Sequence, residues 1–285
     1  MRISACFILF QLFSAGLYAQ QDSIAVVNAR WETKSIARGI SLKHYSFTGN
    51  TLFNSNQNIT ILEVKQKRKL EFDLAAEARL KKTTSEFGAE NNAIAAINGT
   101  FFDVANGGSV DYIRLNDCVI NENRTLAANT RAIHQKAAVV IDKGKLSISQ
   151  WNGSSDWEKL LKGEDVMLSG PMILDDFADV LADTSAFSRN RHPRSVIAVD
   201  GRNRVWFITV DGRHENSAGM SLSEISKIVR WLKCKDAINL DGGGSTTLWV
   251  RGQSGSGVVN YPSDNKKWDH EGQRKVANVV LLKRK

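Results

Sequence analysis

Residues 239–250 read NLDGGGSTTLWV. One carboxylate, Asp241, is followed by Gly242, Gly243 and Gly244, then by Ser245, Thr246 and Thr247. Glycines let a ligand approach the main chain and can aim N–H groups at an anion. A carboxylate fixed beside them would face the same ligand. On these residues alone two readings stand open: an anion cradle with Asp241 at its edge, or a tight turn in which Asp241 bonds its own backbone. Two familiar glycine motifs fail on spacing. A phosphate loop needs GxxxxGK[ST] before a helix, and no lysine follows these glycines. A nucleophile elbow needs G-x-S-x-G, and Ser245 has Thr247 two positions on.

Three other stretches share the form of an apolar run ending in a glycine turn with polar groups. They are AIAAI-NGTFFD with Asn98, DVML-SGPMI, and WFITV-DGRHE with Asp211 and Arg213. Loops at strand ends are where rigid scaffolds present functional groups. The run SRNRHPRSV adds Arg189, Arg191, His192 and Arg194. A guanidinium at Arg194, just ahead of a buried strand, could clamp a phosphate through two nitrogens. Arg189 reads as a solvated side chain. His192 stays open between surface and site, since no serine pattern makes it part of a triad. Trp206 and Trp249 stay open between core packing and stacking on a sugar.

The elements that must position these groups are mostly strands. ITILEVKQKRKLEF alternates and predicts an early strand, with KQKRK as its solvated face. AIAAI, AINL and RKVANVVLL predict further strands. AAVVID-KGK-LSISQW and SVIAVD-GRN-RVWFITVDG predict hairpins turning at Lys143-Gly144 and at Gly201, and TLWVRGQSGSGVV another. TTSEFGAENN predicts a short helix capped by Thr83 or Thr84 with Glu86 in its first turn. SLSEISKIVRWLK predicts a longer helix, with Ser221 and Glu224 as a capping box and Leu222, Ile225, Val229 and Leu232 on one face. Many strands, hairpin links and few helices predict a single α+β domain with a mixed, largely antiparallel sheet and a few flanking helices.

Export is the expectation from the first residues. MRISACFILFQLFSAGLYAQ has Arg2 ahead of an apolar stretch too short to span a bilayer and small residues near Ala19. Residues 1–19 thus predict a leader and a periplasmic or secreted product. Residues 20–60 are expected to pack on the domain of residues 61–285. The chain carries +8; removing residues 1–19 takes one basic residue and no acidic one, leaving +7. The basic residues are scattered, so nucleic acid is not the expected partner, and anionic glycans or phosphates are. Cys118 and Cys234 would remain, and their pairing stays open. Their spacing fits no structural zinc site, and no membrane span is expected.

Taken in order, INGTFFD, SGPMIL, PRSVIAVD, VDGR, GMSLSEI, NLDGGGSTTLWV and RKVANVV resemble the phosphodiester glycosidase family. Its human member, the uncovering enzyme of the mannose 6-phosphate pathway, removes N-acetylglucosamine from a sugar–phosphate diester. The blocks run from about residue 83 to 282. The resemblance implies a hydrolase that cuts a sugar C1–O–P linkage, with a sugar-phosphate or glycan phosphodiester as substrate; no cofactor or metal ligand is expected in the site, and a structural divalent metal stays open. It implies catalytic roles for Asp241, Asp211, Arg194, Asn98 and Glu224. It implies substrate contacts from Gly242, Gly243, Gly244 and Ser245, and from Arg274 and Asn278 in the last block; Gly99, Phe102, Gly170, His192, Gly212, Arg213 and Thr246, which stand in or beside the same blocks, are expected to join them. Asp241 and Asp211 are expected to flank the anomeric carbon, Arg194 and the glycine amides to hold phosphate, and Asn98 to orient a sugar hydroxyl. One departure is visible: Thr100 stands where a glycine is common in the block, which could narrow the pocket. Two other classes stay open. One is a phosphodiesterase cutting P–O with Asp211, Asp241 and Glu224 on Mg²⁺ or Ca²⁺. The other is a glycan-binding protein without turnover.

Overall fold

The structure is a computed structural model describing residues 20–124 and 130–285. The predicted leader, residues 1–19, lies outside them. Three sheets carry the fold, and every ladder among the described residues is antiparallel. The first runs, in spatial order, β1 (Glu32–Ala37), β2 (Ile40–Leu52), β3 (Ser55–Lys65), β14 (Arg204–Val210), β13 (Arg194–Asp200), β15 (Cys234–Asn239), β11 (Met172–Asp175) and β12 (Ala178–Asp179). The second runs β7 (Cys118–Asn121), β6 (Ile113–Leu115), β10 (Asp165–Ser169), β8 (Ala137–Asp142) and β9 (Lys145–Gln150). The third runs β16 (Leu248–Val250), β5 (Ala95–Asn98), β17 (Asn278–Arg284) and β4 (Leu70–Ala76).

The main core lies between these sheets. Ile197, Phe207 and Ile238 of the first meet Val139 and Met167 of the second and Phe72, Ile97 and Val280 of the third. The first sheet is also covered on its other face. Helix α1 (residues 20–27) supplies Val26 there, and a later helix at Leu222–Trp231 supplies Ile225, Ile228 and Val229. A strand buried on both faces needs apolar residues at consecutive positions. That is why β13, β14 and the middle of β3 read as near-continuous apolar runs. Small helices α2 (Thr84–Glu90), α3 (Trp157–Leu160) and α4 (Ala186–Arg189) fill the periphery, and Leu222–Trp231 is α5. No described helix is long and apolar enough to cross a membrane.

Two predicted hairpins form as ladders, and the third, TLWVRGQSGSGVV, closes through the isolated bridge Trp249 to Val258. Lys143 and Gly144 both take positive φ at the β8–β9 turn, and Asn203 does so between β13 and β14. Both capping boxes form, Thr83 with Glu86 and Ser221 with Glu224. The run ITILEVKQKRKLEF does not make one strand. It breaks after Lys65 into β3 and β4, which belong to different sheets. Successive basic side chains cannot be buried on the two covered faces of the first sheet, so the chain leaves it there. Residues 32–52, which carried no clear signal, form β1 and β2 at the edge of that sheet. Cys118, exposed on β7, and Cys234, buried on β15, are both free thiols. Trp206 and Trp249 are buried core residues, and Gly88 leaves the space that the Trp249 ring fills.

The cap of α5 gives a stability test. Ser221→Ala removes the hydroxyl that accepts from the Glu224 N–H. Denaturant unfolding is expected to show a loss of about 1 kcal/mol, with the midpoint of thermal unfolding lower by about 2–4 °C.

Candidate active site

A cavity of about 200 Å³ is lined by Phe187, His192, Arg194, Arg213, Asp241, Gly242, Gly243, Gly244 and Arg274. Three arginines and a histidine thus face one acid among the lining residues. Its residues come from the stretch from Phe187 to the start of β13, the loops after β14 and β15, and the loop that leads into β17.

Asp241 follows β15, and its place is set by main-chain bonds. Its N–H donates to Gly99 O at 3.0 Å, and its carbonyl accepts from Asn98 Nδ2 at 2.7 Å. Burial pushes its carboxyl up to about 6, against the pull of the Ser245 hydroxyl, the Arg274 charge and the Gly242 amide; the nearby Asp111 charge raises it further. The glycines answer to crowding. A Cβ on Gly242 would lie 2.7 Å from Pro193 O, and one on Gly243, at φ +60°, would lie 2.9 Å from Arg213 Nη2. A Cβ on Gly244 would collide with Arg274 and Asp264. The Gly243 N–H is taken by Pro193 O at 2.9 Å. The Gly242 N–H donates to the Asp241 carboxylate. The three residues therefore serve as close-approach backbone, not as a row of free donors.

Arg194 is fully buried at the start of β13. Its Nε donates to Met220 O at 2.8 Å, and its Nη2 donates to Phe187 O at 2.7 Å and Asn190 O at 2.9 Å. The Phe187 ring covers the guanidinium at 4.7 Å. Nη1 is buried without a partner among the described residues. Carbonyls thus hold the group and leave one nitrogen, so it can offer a single point of contact, not a two-nitrogen clamp. Burial brings its pKa down to about 10, and Glu224 opposes the shift. His192 is held below its ordinary pKa by burial first, then by the Arg194 and Arg213 charges. Arg274 pairs with Asp264 at 2.6 Å.

Several residues expected at the chemistry are placed elsewhere. Asp211 is sealed in: its Oδ1 accepts from Asn260 Nδ2 at 2.9 Å and Tyr261 N at 2.8 Å, and its Oδ2 accepts from Asn58 Nδ2 at 2.7 Å. Burial raises its carboxyl to about 6. Glu224 closes the α5 cap by accepting from Ser221 N and pairs with Arg191 at 2.6 Å. Asn98 holds structure with both ends of its amide, since its Oδ1 accepts from Ser195 Oγ at 2.6 Å and Thr247 N at 3.1 Å. Asn278 Oδ1 accepts from Thr100 N at 2.6 Å and occupies the space a Cβ on Gly99 would need. Phe102 packs with Phe87 and Trp249 in the core. Gly170 lets its turn pass Ile133 and His134, Gly212 packs on Gly219 and Pro193, and Ser245 and Thr246 are buried behind Asp241. Thr100 does not line the cavity; its hydroxyl reaches Asp111 Oδ2 at 3.2 Å. Asp211, Asp241 and Glu224 stand in three separate settings, and no three His, Cys, Asp or Glu converge as metal ligands among the described residues.

Sequence reasoning passed over Phe187, Asp111, His134 and the loop bearing Asp264. Asp111 is buried and its two oxygens lie 2.9 Å from His134 Nδ1. Phe101, not its neighbour Phe102, joins this pair to the cavity wall: its ring centroid is 5.0 Å from His134 and 5.9 Å from Phe187. No local pattern marks two residues so far apart in the chain.

Residues 91–283 match the phosphodiester glycosidase family, and the chain belongs to that family. Its fold is similar to the catalytic domain of zebrafish N-acetylglucosamine-1-phosphodiester alpha-N-acetylglucosaminidase auto-inhibited by its pro-peptide. That match has a TM-score of 0.66 and 17% identity, covering 90% of this chain and 85% of that one. A hypothetical protein from Synechocystis matches with a TM-score of 0.64 and 15% identity over 89% of this chain; the chain spans 64% of that protein's length. Among curated proteins searched by sequence, none matches.

The position of Asp241 gives a test of its cost. A carboxyl with a folded pKa near 6 and an unfolded value near 3.8 binds its proton more readily when folded. Its ionisation therefore lowers stability as pH rises from about 4 to about 6, and the full penalty is present at pH 7. Asp241→Asn is expected to be more stable than the parent at pH 7 by on the order of 1–3 kcal/mol. Urea unfolding across pH should show that gain vanish toward pH 4.

Proposed function

We propose that this chain hydrolyses the C1–O bond of a sugar-1-phosphodiester of the N-acetylglucosamine type and releases free sugar and a phosphomonoester. The observation that carries the reading is the charge of one cavity. Arg194, Arg213, Arg274 and His192 surround Asp241 against bare glycine backbone. Such a site compensates an anionic leaving group and keeps one carboxylate for a sugar that becomes cationic. Membership of the family supports the reaction class. The zebrafish relative is an N-acetylglucosamine-1-phosphodiester alpha-N-acetylglucosaminidase, which supports the choice of sugar. Action in the periplasm or outside the cell is part of the proposal and rests on the pattern of residues 1–19.

Arg213 and Arg274 would bind the phosphate from the open side, and Arg194 Nη1 from the buried side. Asp241 would be ionised at neutral pH and face the anomeric carbon, as nucleophile or as stabiliser of its positive charge. The phosphate carries off the bonding electrons as a fairly good leaving group, so it needs little help from an acid. Asp211 does not act here, because three donors already occupy its two oxygens.

Hydrolysis of UDP-N-acetylglucosamine and of a methyl N-acetylglucosamine phosphodiester in ¹⁸O water tests the bond that breaks. Label is expected at the anomeric carbon, with no effect of EDTA. Asp241→Asn should lower kcat by about 10²–10⁴-fold. Arg213→Ala and Arg274→Ala should raise KM by roughly 10–100-fold each, the equivalent of a charged hydrogen bond. Label in the phosphate, lost with EDTA, would mean P–O cleavage at a metal. Binding with no turnover would mean a glycan receptor.

A further inference from the structure

The cavity holds one carboxylate, Asp241, and one imidazole, His192, which stands near the Arg194 and Arg213 charges with no carboxylate among the described residues to orient it, and the reaction needs an oriented base to activate water. The geometry points to His134 as that catalytic base, held by Asp111, an inference that rests on the glycosidase reading above.

One carboxylate and one aromatic ring fix the imidazole. Nδ1 lies 2.9 Å from both oxygens of Asp111, which makes it the donor to a buried carboxylate. Asp111 is itself fixed by Thr100 Oγ1 at 3.2 Å and Gln135 Nε2 at 3.2 Å. The Phe101 ring lies against the imidazole at 5.0 Å. The β10–β11 turn presses on its main chain, where Gly170 has no side chain to intervene. A donor bond at Nδ1 sets the tautomer in which Nε2 carries a lone pair. The side chain is 29% exposed, and no hydrogen bond among the described residues engages Nε2. A histidine kept only for packing would not need a buried carboxylate behind it and an open nitrogen in front.

The dyad does not line the cavity but is joined to two residues that do, Asp241 and Phe187. Gly99 O accepts from Asp241 N, and the next residue, Thr100, reaches Asp111. One dipeptide therefore ties the acid of the cavity to the acid behind His134. On the other side, Phe101 carries the contact from His134 to Phe187, which lines the cavity.

The step balances as follows. The water oxygen bonds to C1 as the C1–O bond to phosphate breaks. The electron pair of that bond leaves with the phosphate. The water proton passes to His134 Nε2 and from there to solvent at the exposed edge of the ring. Asp111 is a positioning residue: it fixes the tautomer and balances the imidazolium, as in other Asp–His pairs.

The test uses an anionic nucleophile that needs no base. His134→Ala and His134→Gln are expected to lose about 10²–10⁴-fold in kcat with KM within a few-fold of the parent. Sodium azide should restore turnover in both and yield the glycosyl azide. Arg274→Ala, impaired in phosphate binding, should gain nothing from azide. Asp111→Asn, which presents the wrong group to Nδ1, should show the same loss and the same rescue, and it decides the matter if the His134 variants do not fold. Parental kcat in the His134 variants would overturn the inference, as would a loss that azide does not restore in variants whose melting is unchanged. If the parent places ¹⁸O in the sugar while those variants stay active, only His134 is wrong. If the parent does not cleave C1–O at all, the glycosidase reading falls and this inference with it.

Discussion

One buried amide holds the site together. Asn98 ends β5 in the third sheet, yet its Nδ2 donates to Asp241 O and its Oδ1 accepts from Ser195 Oγ on β13 and Thr247 N ahead of β16. A side-chain amide has donors at one end and an acceptor at the other, and here both ends are matched. The two sheets are thereby joined at the point where the carboxylate must stand. Neither an aspartate nor a leucine can do this: the first has no donor, and the second has no polar group. A buried donor or acceptor left unpaired costs about 1–3 kcal/mol, so replacing Asn98 would unpair partners on three segments at once. The position of Asp241 is thus a consequence of sheet packing, and the site is as rigid as the core beneath it.

The second constraint is charge. An arginine enclosed by protein is normally expensive. Arg194 is tolerated because three carbonyls take its donors and an aromatic face covers its plane. Asp241 is held where burial disfavours its ionised form. These two groups are strained in opposite electrical senses around one cavity. An anionic ligand that places negative charge on the arginines and positive charge by the carboxylate would relieve both. Perturbed groups gathered in a cleft are the expected mark of a working site.

The sequence made the class of fold legible because its signals were local. Capping boxes at Thr83 and Ser221, a Lys-Gly turn and apolar runs between glycines each depend on a few neighbouring residues. Of the residues it singled out, Asp241, Arg194, Arg213, His192 and Arg274 line one cavity. It could not tell which polar groups are already taken. Asp211, Glu224, Asn98 and Asn278 carry the residue types of catalysis but have their oxygens engaged by partners up to 178 residues away. The same blindness hid His134 and Asp111, which lie 23 residues apart and belong to no motif. KQKRK misled for a related reason. Its alternation suits a strand with one solvated face, and the sheet it would have continued is covered on both.

The sealing of Asp211 has a chemical logic under the proposed reaction. An ordinary glycoside leaves as an alkoxide and needs an acid, which is why two carboxyl groups usually flank the bond. A phosphomonoester leaves with its charge already spread over several oxygens, and cations stabilise it better than a proton donor does. The site can then dispense with the acid, and a carboxylate beside the phosphate would only repel it. Asp211 is instead turned inward, where Asn58, Asn260 and Tyr261 use it to fasten the loop of residues 260–275 to the first sheet. That loop carries Arg274 to the cavity. The carboxylate that a glycoside would have required for proton transfer thus serves, at one remove, to present the cation that a phosphodiester requires.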